Sequence, residues 1–503
     1  MIPLFKVSMS DTDEFKQDII KTLTSGFITQ GSKVEIFEEH LRKRLGHDYI
    51  ITTNTGTSAL TLAFRMLNLD PNDEVISTPL TCVATNFAIL ANNLKIKWAD
   101  VDPETCIIDL EDVKRKLTSK TRALCFVHWG GNVIDYNALN KVKIYAMEKF
   151  GYNLHVVEDC AHAFGAPVDI KNNICMFSLQ AIKHLTTVDG GILTVPTTEL
   201  YERGKLLRWY GVDRDPKNRK DFRIEEDIPE WGYKFHMNDV NATIGIHNLK
   251  LVNTNIEILR KNGKFYNEEL KTLKCVQMIK YHPQAVYWLY TLKIKDRDEF
   301  VEFMKTKGVQ ASKVHKRNDG HTCLKDSVQT LPQLDDLEKN YVCIPVGWWL
   351  SDNDKKYIVK CIKEWDIKFQ ITIRNVKVDD FEGVRLLQKT LNRVDIQYDS
   401  REFAERLKLC GKIMIAEVDG KVIGMAKLVV ETKLTASVGH IEDVVVLQEY
   451  RGLGISSLLI DKLKNSEEVK GCYKLVLSCK EKYIDTYLKA GFNEVNISMT
   501  MRL

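Results

Sequence analysis

FSLQAIKHLTTVDGGIL (177–193) carries an apolar run, a lysine set between isoleucine and histidine, and an Asp-Gly-Gly turn that opens a second apolar run, GGILTV (190–195). Upstream lie two more apolar runs of strand length, ALCFVHW (123–129) and LHVVEDC (154–160). Between them VIDYNALNKVKIYAMEKF (133–150) is amphipathic with helical spacing. Alternation of short apolar strands with amphipathic helices predicts an α/β fold built on a mostly parallel sheet.

Further along, the texture changes. IHNLKLVNTNIEILRKNGKFYNEEL (246–270) predicts a long helical stretch that leads into a smaller mixed region, closed by a helix at SDNDKKYIVKCIKEW (351–365). A new unit opens at ITIRNVKVDDFEGVRLLQKTL (371–391), a strand followed by a helix. KIMIAEVDGKVIGMAKLVVE (412–431) follows as a strand pair, with Asp419-Gly420 as a hairpin signal. The expected domains are 1–245 and 246–368, a large and a small lobe, and 369–503, a separate α/β domain. No Gly/Ser- or Pro-rich linker stands near 368, so semi-rigid coupling is expected.

The 503 residues suit about three domain-sized units. With 72 basic and 68 acidic residues the net charge is +4, which makes no electrostatic case for nucleic acid. The 12 cysteines form no CxxC pair and no His cluster has zinc spacing, so no metal site is expected. MIPLFKVSMSDTDEF lacks the apolar core of a signal peptide, and no apolar run has membrane-spanning length. A soluble, cytoplasmic protein with reduced thiols is the expectation.

Several separated features converge on pyridoxal 5′-phosphate (PLP) chemistry, which needs an amine to form a Schiff base, a carboxylate to hold the pyridine nitrogen protonated, and donors for a phosphate. Lys183 supplies the amine and Asp159, at the end of HVVED, the carboxylate. TTNTGTSAL (52–60) is a small-residue turn ahead of a helix, where backbone N–H groups favour an anion. Thr57, Ser58 and Ser178 are its hydroxyl donors.

These segments, with GFITQGSKVEIFEEHL (26–41), STPLTCVATNFAIL (77–90), VEDCAHAFGA (157–166) and WGYKFHMNDVNATIG (231–245), resemble the nucleotide-sugar aminotransferases of PLP fold type I over nearly all of 1–368. The resemblance implies Lys183 as the Schiff-base lysine, Asp159 as the pyridinium partner, and His162 against the ring oxygen. It implies Ser178 and the Thr57–Ser58 turn on the phosphate. It implies that Lys234 reaches the partner subunit's site in a homodimer. The family usually places an aromatic ring where Cys82 stands. Either the thiol packs on the cofactor in its stead or another ring moves in. VHKRNDGH (314–321), with His315, Arg317, Asn318 and His321, reads either as a sugar-nucleotide contact or as a surface loop of mixed charge.

The last domain carries a second constellation. HIEDVVVL (440–447) is strand-like, and QEYRGLGISSLLIDKLK (448–464) follows as a Gly-bearing turn and an amphipathic helix. Such a turn lets backbone approach a pyrophosphate at a helix start. From about 371 to 503 the sequence resembles the GNAT acetyltransferases, and glucosamine-6-phosphate N-acetyltransferase among them, most strongly in 438–463, 472–479 and 487–503. The resemblance implies that Arg451, Gly452, Leu453, Gly454, Ile455 and Ser456 hold the CoA pyrophosphate, and that backbone near Val444 and Val446 polarises the thioester carbonyl. It implies that Tyr487 protonates the departing thiolate, and that Glu442 and Asp443 hold or deprotonate the incoming amine. Tyr483 stands where the glucosamine-phosphate enzyme has a polar amide, a departure that bears on the acceptor.

An aminotransferase makes an amine and an N-acetyltransferase consumes one. The fusion therefore suggests successive steps. L-glutamate would give its amine to a UDP-linked 4-keto-6-deoxyhexose, and acetyl-CoA would then acetylate it, giving a product of viosamine or bacillosamine type. Two alternatives stand beside this reading: acetyl transfer to a different amino sugar such as glucosamine 6-phosphate, and a C-terminal module that binds CoA or forms a dimer without catalysis.

Overall fold

The computed structural model describes residues 1–214, 227–327, 329–392, 397–479 and 481–493. The end of the run 487–503, from 494 onward, thus lies outside the described residues. The chain divides into two compact units, residues 1–272 with 276–359, and 273–275 with 360–503.

In the first unit seven strands form one sheet: β1 (Ile50–Thr53), β2 (Glu74–Ser77), β3 (Lys95–Trp98), β4 (Thr121–Val127), β5 (His155–Asp159), β6 (Ile174–Ser178) and β7 (Gly191–Thr194). Their order is β1-β7-β6-β5-β4-β2-β3. Only β7 runs against its neighbours, pairing antiparallel to both β1 and β6. All but β3 are buried nearly throughout because helices cover both faces, as parallel sheets require. On one face Ala59, Leu62, Ala63 and Met66 of the helix Gly56–Met66 pack with Val75, Cys125, Val157 and Leu193. On the other, Phe37 and Leu41 pack with Phe177 and Ile192.

The register aligns Val127 with Asp159 and Asp159 with Met176, so β4, β5 and β6 deliver their carboxyl ends to one edge. Crevices at such ends are where open α/β sheets bind ligands. A smaller antiparallel sheet of β8 (Val276–Met278), β9 (Tyr290–Ile294) and β10 (Tyr341–Ile344) completes the unit.

The long helical stretch expected at 246–270 is interrupted. Helices Asp239–Asn248 and Val252–Leu270 flank a 3₁₀ turn, Leu249–Leu251. The break falls at Asn248, whose buried amide accepts from the Ser10 N–H (2.7 Å) and donates to the Thr186 carbonyl (2.9 Å). These tertiary bonds, which helical periodicity does not reveal, hold the chain at that point.

The second unit is built on β11 (Thr372–Asn375), β12 (Lys412–Val418), β13 (Lys421–Thr432), β14 (Ser437–Val446) and β15 (Cys472–Val476), in that order across the sheet. The β12–β13 turn has φ of 48° at Asp419 and 78° at Gly420, the left-handed pair that an Asp-Gly hairpin favours. Helix Phe381–Asn392 packs Val384 and Leu387 on the sheet. No helix among the described residues is long and apolar enough to cross a membrane.

Candidate active sites

The first site gathers at the strand ends. Asp159 closes β5 and is buried; its carboxylate accepts from the Thr85 hydroxyl (2.5 Å) and the Ala161 N–H (3.0 Å). Burial pushes this carboxyl up, against the two hydrogen bonds and the nearby Lys183 charge. Lys183 lies in the loop after β6. Burial lowers its amine to about 8, while the charges of Asp159 and of the Cys82 thiol work in the opposite direction. The lysine is thus an amine that gives up its proton near pH 8, within electrostatic reach of the buried Asp159.

Trp288 covers the lysine. Lys183 Nζ lies 3.5 Å from the centroid of the indole ring, and the indole N–H donates to the Ile182 carbonyl (2.9 Å). The same ring stacks on His162, with centroids 3.8 Å apart and planes 18° apart. The Gly130 N–H donates to His162 Nδ1 (3.3 Å), which leaves the ring proton on Nε2. Burial, with the Lys183 charge behind it, holds His162 well below the usual histidine range, so the ring is neutral. His315 lies parallel to His162 at 6.1 Å; its Nε2 is buried without a partner, and burial with the Lys183 charge lowers it to about 4. The residue before it, Val314, has φ of 68°, a strained value for a β-branched side chain.

The small-residue turn stands next to this group. Thr55 caps the helix Gly56–Met66 by accepting from the Ser58 N–H (3.0 Å), and its hydroxyl donates to Ser58 Oγ (2.9 Å). A side chain at Gly56 would meet the Ser178 Cα and Cβ at 3.3 and 3.2 Å, so glycine lets the helix start lie against Ser178 at the end of β6. Thr57 is exposed in the first turn, where N–H groups lack intrahelical acceptors. Lys234 is exposed, pairs with Trp209 in an isolated bridge, and its carbonyl accepts from Asn54 (3.5 Å).

The 314–321 segment splits. Asn318 turns inward. It is fully buried, its Oδ1 accepts from Asn86 (2.8 Å), and its amide donates to the Thr81 carbonyl (2.8 Å). It ties this loop to the loop that carries Cys82. Arg317 is occupied by Asp319 and Asp335. His321 is half-buried just past Asn318. Of the four, only His315 joins the group around Lys183.

The second site is a groove of about 920 Å³ in the second unit. β14 pairs in parallel with β15 from Ser437 to His440; among the described residues the pairing does not continue beyond, and Ile441–Val446 face Leu477–Cys479 across the opening. On its other side β14 carries a bulge, where Asp443 and Val444 stand opposite the single residue Ala426 of β13. Asp443 has φ of 51° there. Arg451, Gly452, Gly454, Ile455 and Ser456 line the groove with Tyr483 and Tyr487. Gly452 and Gly454 have φ of 85° and 73°, left-handed values that turn the backbone into the helix Ile455–Lys464. Leu453 and Ile455 are buried and anchor the loop, and the Arg451 Nε–H donates to the Val446 carbonyl (3.1 Å). Burial, helped by Cys479 and Tyr483, raises the Tyr487 phenol, which therefore stays protonated. Glu442 and Asp443 both pair with Lys427, at 2.9 and 3.5 Å.

Thr85, Trp288 and Lys427 are site residues that sequence reasoning missed. Thr85 stands one turn past Cys82, and Trp288 sits in the aromatic run AVYWLY; neither pattern separates a site residue from a core residue. Lys427 does leave a trace, as a lone charge inside the apolar run of β13.

Residues 9–363 match the DegT/DnrJ/EryC1/StrS aminotransferase family, and residues 381–492 match the acetyltransferase (GNAT) family. Among solved structures, AtS13 from Actinomadura melliaura is 41% identical, with a TM-score of 0.69, covering 72% of this chain and 98% of that one. The sugar aminotransferase CalS13 from Micromonospora echinospora is 38% identical, with a TM-score of 0.68, over 72% of this chain and 99% of that one. The UDP-4-amino-4,6-dideoxy-N-acetyl-beta-L-altrosamine transaminase of Campylobacter jejuni is 30% identical over 273 residues, 53% of this chain and 68% of that protein.

Proposed function

Since the chain belongs to the DegT/DnrJ/EryC1/StrS aminotransferase family and carries a C-terminal GNAT acetyltransferase domain, we propose that it aminates and then N-acetylates one nucleotide sugar. The amine comes from L-glutamate, the acceptor is a UDP-4-keto-6-deoxyhexose, and the product is a 4-acetamido sugar of viosamine or bacillosamine type. In this reading 1–245 and 246–368 are the aminotransferase lobes and 369–503 the acetyltransferase. The protein works in the cytoplasm as a homodimer in which Lys234 reaches the partner's site.

The observation that carries the reading is the Lys183 amine, covered by Trp288 and within electrostatic reach of the buried Asp159. PLP, when bound, supplies an aldehyde for an amine and a ring that draws electrons. The residues present fit it: a buried amine with a lowered proton affinity, a buried carboxylate oriented by two donors, and a helix start opened by Gly56 against Ser178. Asp159 would hold a pyridine nitrogen protonated, His162 would offer its Nε2–H to a ring oxygen, and Thr57, Ser58 and Ser178 would hold the phosphate. Lys183, neutral in part near pH 8, is the group placed to take up and return a proton.

In the second unit the 451–456 loop holds the CoA pyrophosphate, and backbone at Val444 and Val446 polarises the thioester carbonyl. Tyr487, a protonated phenol on the groove wall, supplies the proton that the departing thiolate takes.

The test is to incubate the full chain with PLP, ¹⁵N-glutamate, acetyl-CoA and a panel of UDP-keto sugars, and to read the products by mass spectrometry. A ¹⁵N-acetamido sugar is the expected result. Acetylation of glucosamine 6-phosphate, but not of any amino nucleotide sugar, would overturn the sequential reading. In Lys183→Ala the absorbance of bound PLP should lie at the wavelength of the free aldehyde, shifted from that of the wild type. An unchanged spectrum would overturn the lysine's role.

A further inference from the structure

β13 is an apolar strand interrupted by one charge. Val422 through Ala426 and Leu428 are buried, and Lys427 lies among them with its side chain 19% exposed. Its register partner on β14 is Glu442, and the bulge that follows sets Asp443 within reach of the same nitrogen. Nζ lies 2.9 Å from Glu442 and 3.5 Å from Asp443. Burying an ammonium in a sheet is costly unless carboxylates answer it. Here they do: burial works to lower the Lys427 amine, and the two carboxylates outweigh it and hold the amine above its usual value.

Glu442 and Asp443 line the groove, whereas Lys427 reaches them from the neighbouring strand. Helices Phe381–Asn392 and Ile455–Lys464 pack on the sheet through Val384, Leu387, Leu459 and Ile460. Among the described residues the other titratable groups on the groove are Tyr450, Arg451, Cys479, Tyr483 and Tyr487, and the Arg451 Nε–H is engaged by the Val446 carbonyl.

We infer that Lys427 is a positioning residue for acetyl transfer, fixing the paired carboxylates of Glu442 and Asp443 at the β14 bulge so that one of them accepts the proton of the incoming amine. This rests on the acetyltransferase reading of the groove. In the step it serves, the amine nitrogen bonds to the thioester carbon and the C–S bond breaks. The nitrogen's proton passes to the carboxylate, and the sulfur takes one from Tyr487. One cation between two carboxylates leaves a single net negative charge, which takes up the one proton that a neutral amine sheds. Without Lys427 the two carboxylates repel, and each binds protons more readily.

The test compares pH–rate profiles of kcat/KM for acetyl transfer to the 4-amino nucleotide sugar by the full-length wild type, Lys427→Met and Lys427→Arg. The acid limb should move up by about one pH unit in Lys427→Met and return in Lys427→Arg, with acetyl-CoA affinity, measured by calorimetry, unchanged as a check on folding. Superimposable profiles for wild type and Lys427→Met would overturn the inference and leave the acetyltransferase reading standing. So would an equal shift in both variants. If the wild type transfers no acetyl group to any amine, that reading fails by itself. The inference is then decided by carboxyl-¹³C NMR: the Glu442 and Asp443 signals should titrate at higher pH in Lys427→Met than in wild type, and equal titration overturns it.

Discussion

Trp288 is fastened to Lys183 from two directions: its ring centroid lies 3.5 Å from the lysine Nζ, and its indole N–H donates to the carbonyl of Ile182, the residue before the lysine. The ring excludes water from the amine, and that burial is the largest cause of the lowered proton affinity. The ring over the lysine comes from the approach to β9.

The buried amine has a pH signature in the cofactor-free protein. Its ordinary value of 10.5 falls to about 8 on folding. Below pH 8 the folded state must hold a charged amine in a half-buried, poorly hydrated site, and above 10.5 neither state holds a charge there. Stability therefore rises with pH between the two values. Lys183→Met should stabilise the cofactor-free protein at pH 7 by about 2–3 kcal/mol, after allowing for the lost cation–π contact. The advantage should shrink above pH 8, as read by urea unfolding at pH 7 and pH 10.

Glu38 and Arg208 form a buried pair at 2.7 Å, with Thr52 donating to the same carboxylate through its N–H and hydroxyl. Burial works to raise the Glu38 carboxyl, but Arg208 and Thr52 outweigh it and hold it below the usual range. Stability from this pair is present above the ordinary glutamate value and is lost as pH falls through the folded one. Arg208→Met should cost about 3 kcal/mol at pH 7, because the buried carboxylate keeps only the more distant Arg42 (3.6 Å) and Thr52. The cost should be smaller near pH 4, where the carboxyl takes a proton; denaturant midpoints at both pH values check this.

Asn318 joins two loops by bonds that are wholly buried. Asn318→Ala leaves the Thr81 carbonyl without its donor, and should cost about 2 kcal/mol in urea unfolding. Cys82, the residue after Thr81, should then react faster with a thiol reagent. Unchanged Cys82 reactivity would show that the loop is held by other means.

Tyr487→Phe removes the only polar atom of a half-buried ring on the groove wall. If the phenol is the acid for the leaving thiolate, kcat for acetyl transfer should fall by about a hundredfold. Acetyl-CoA affinity should hold, as measured by calorimetry.

What could be read from the sequence alone was whatever local chemistry marks. Strand–helix alternation announced the parallel sheet, because period and length are local properties. Asp419-Gly420 announced its hairpin, and Gly452 and Gly454 their left-handed turns, because few residues take those angles. The order of TGTSA, VEDCAH and IKHLTT announced the first site, and RGLG after an apolar strand the second. The tertiary structure decided what depends on neighbours distant in the chain. That β7 runs backwards follows from its seating between β1 and β6. Asn318 turned inward because Asn86 and Thr81 await it there. Lys427 and Trp288 became site residues only when strand register and side-chain stacking set them against Glu442 and Lys183. Burial and charge, which set how these groups bind protons, are sums over such neighbours, and a linear sequence does not list them.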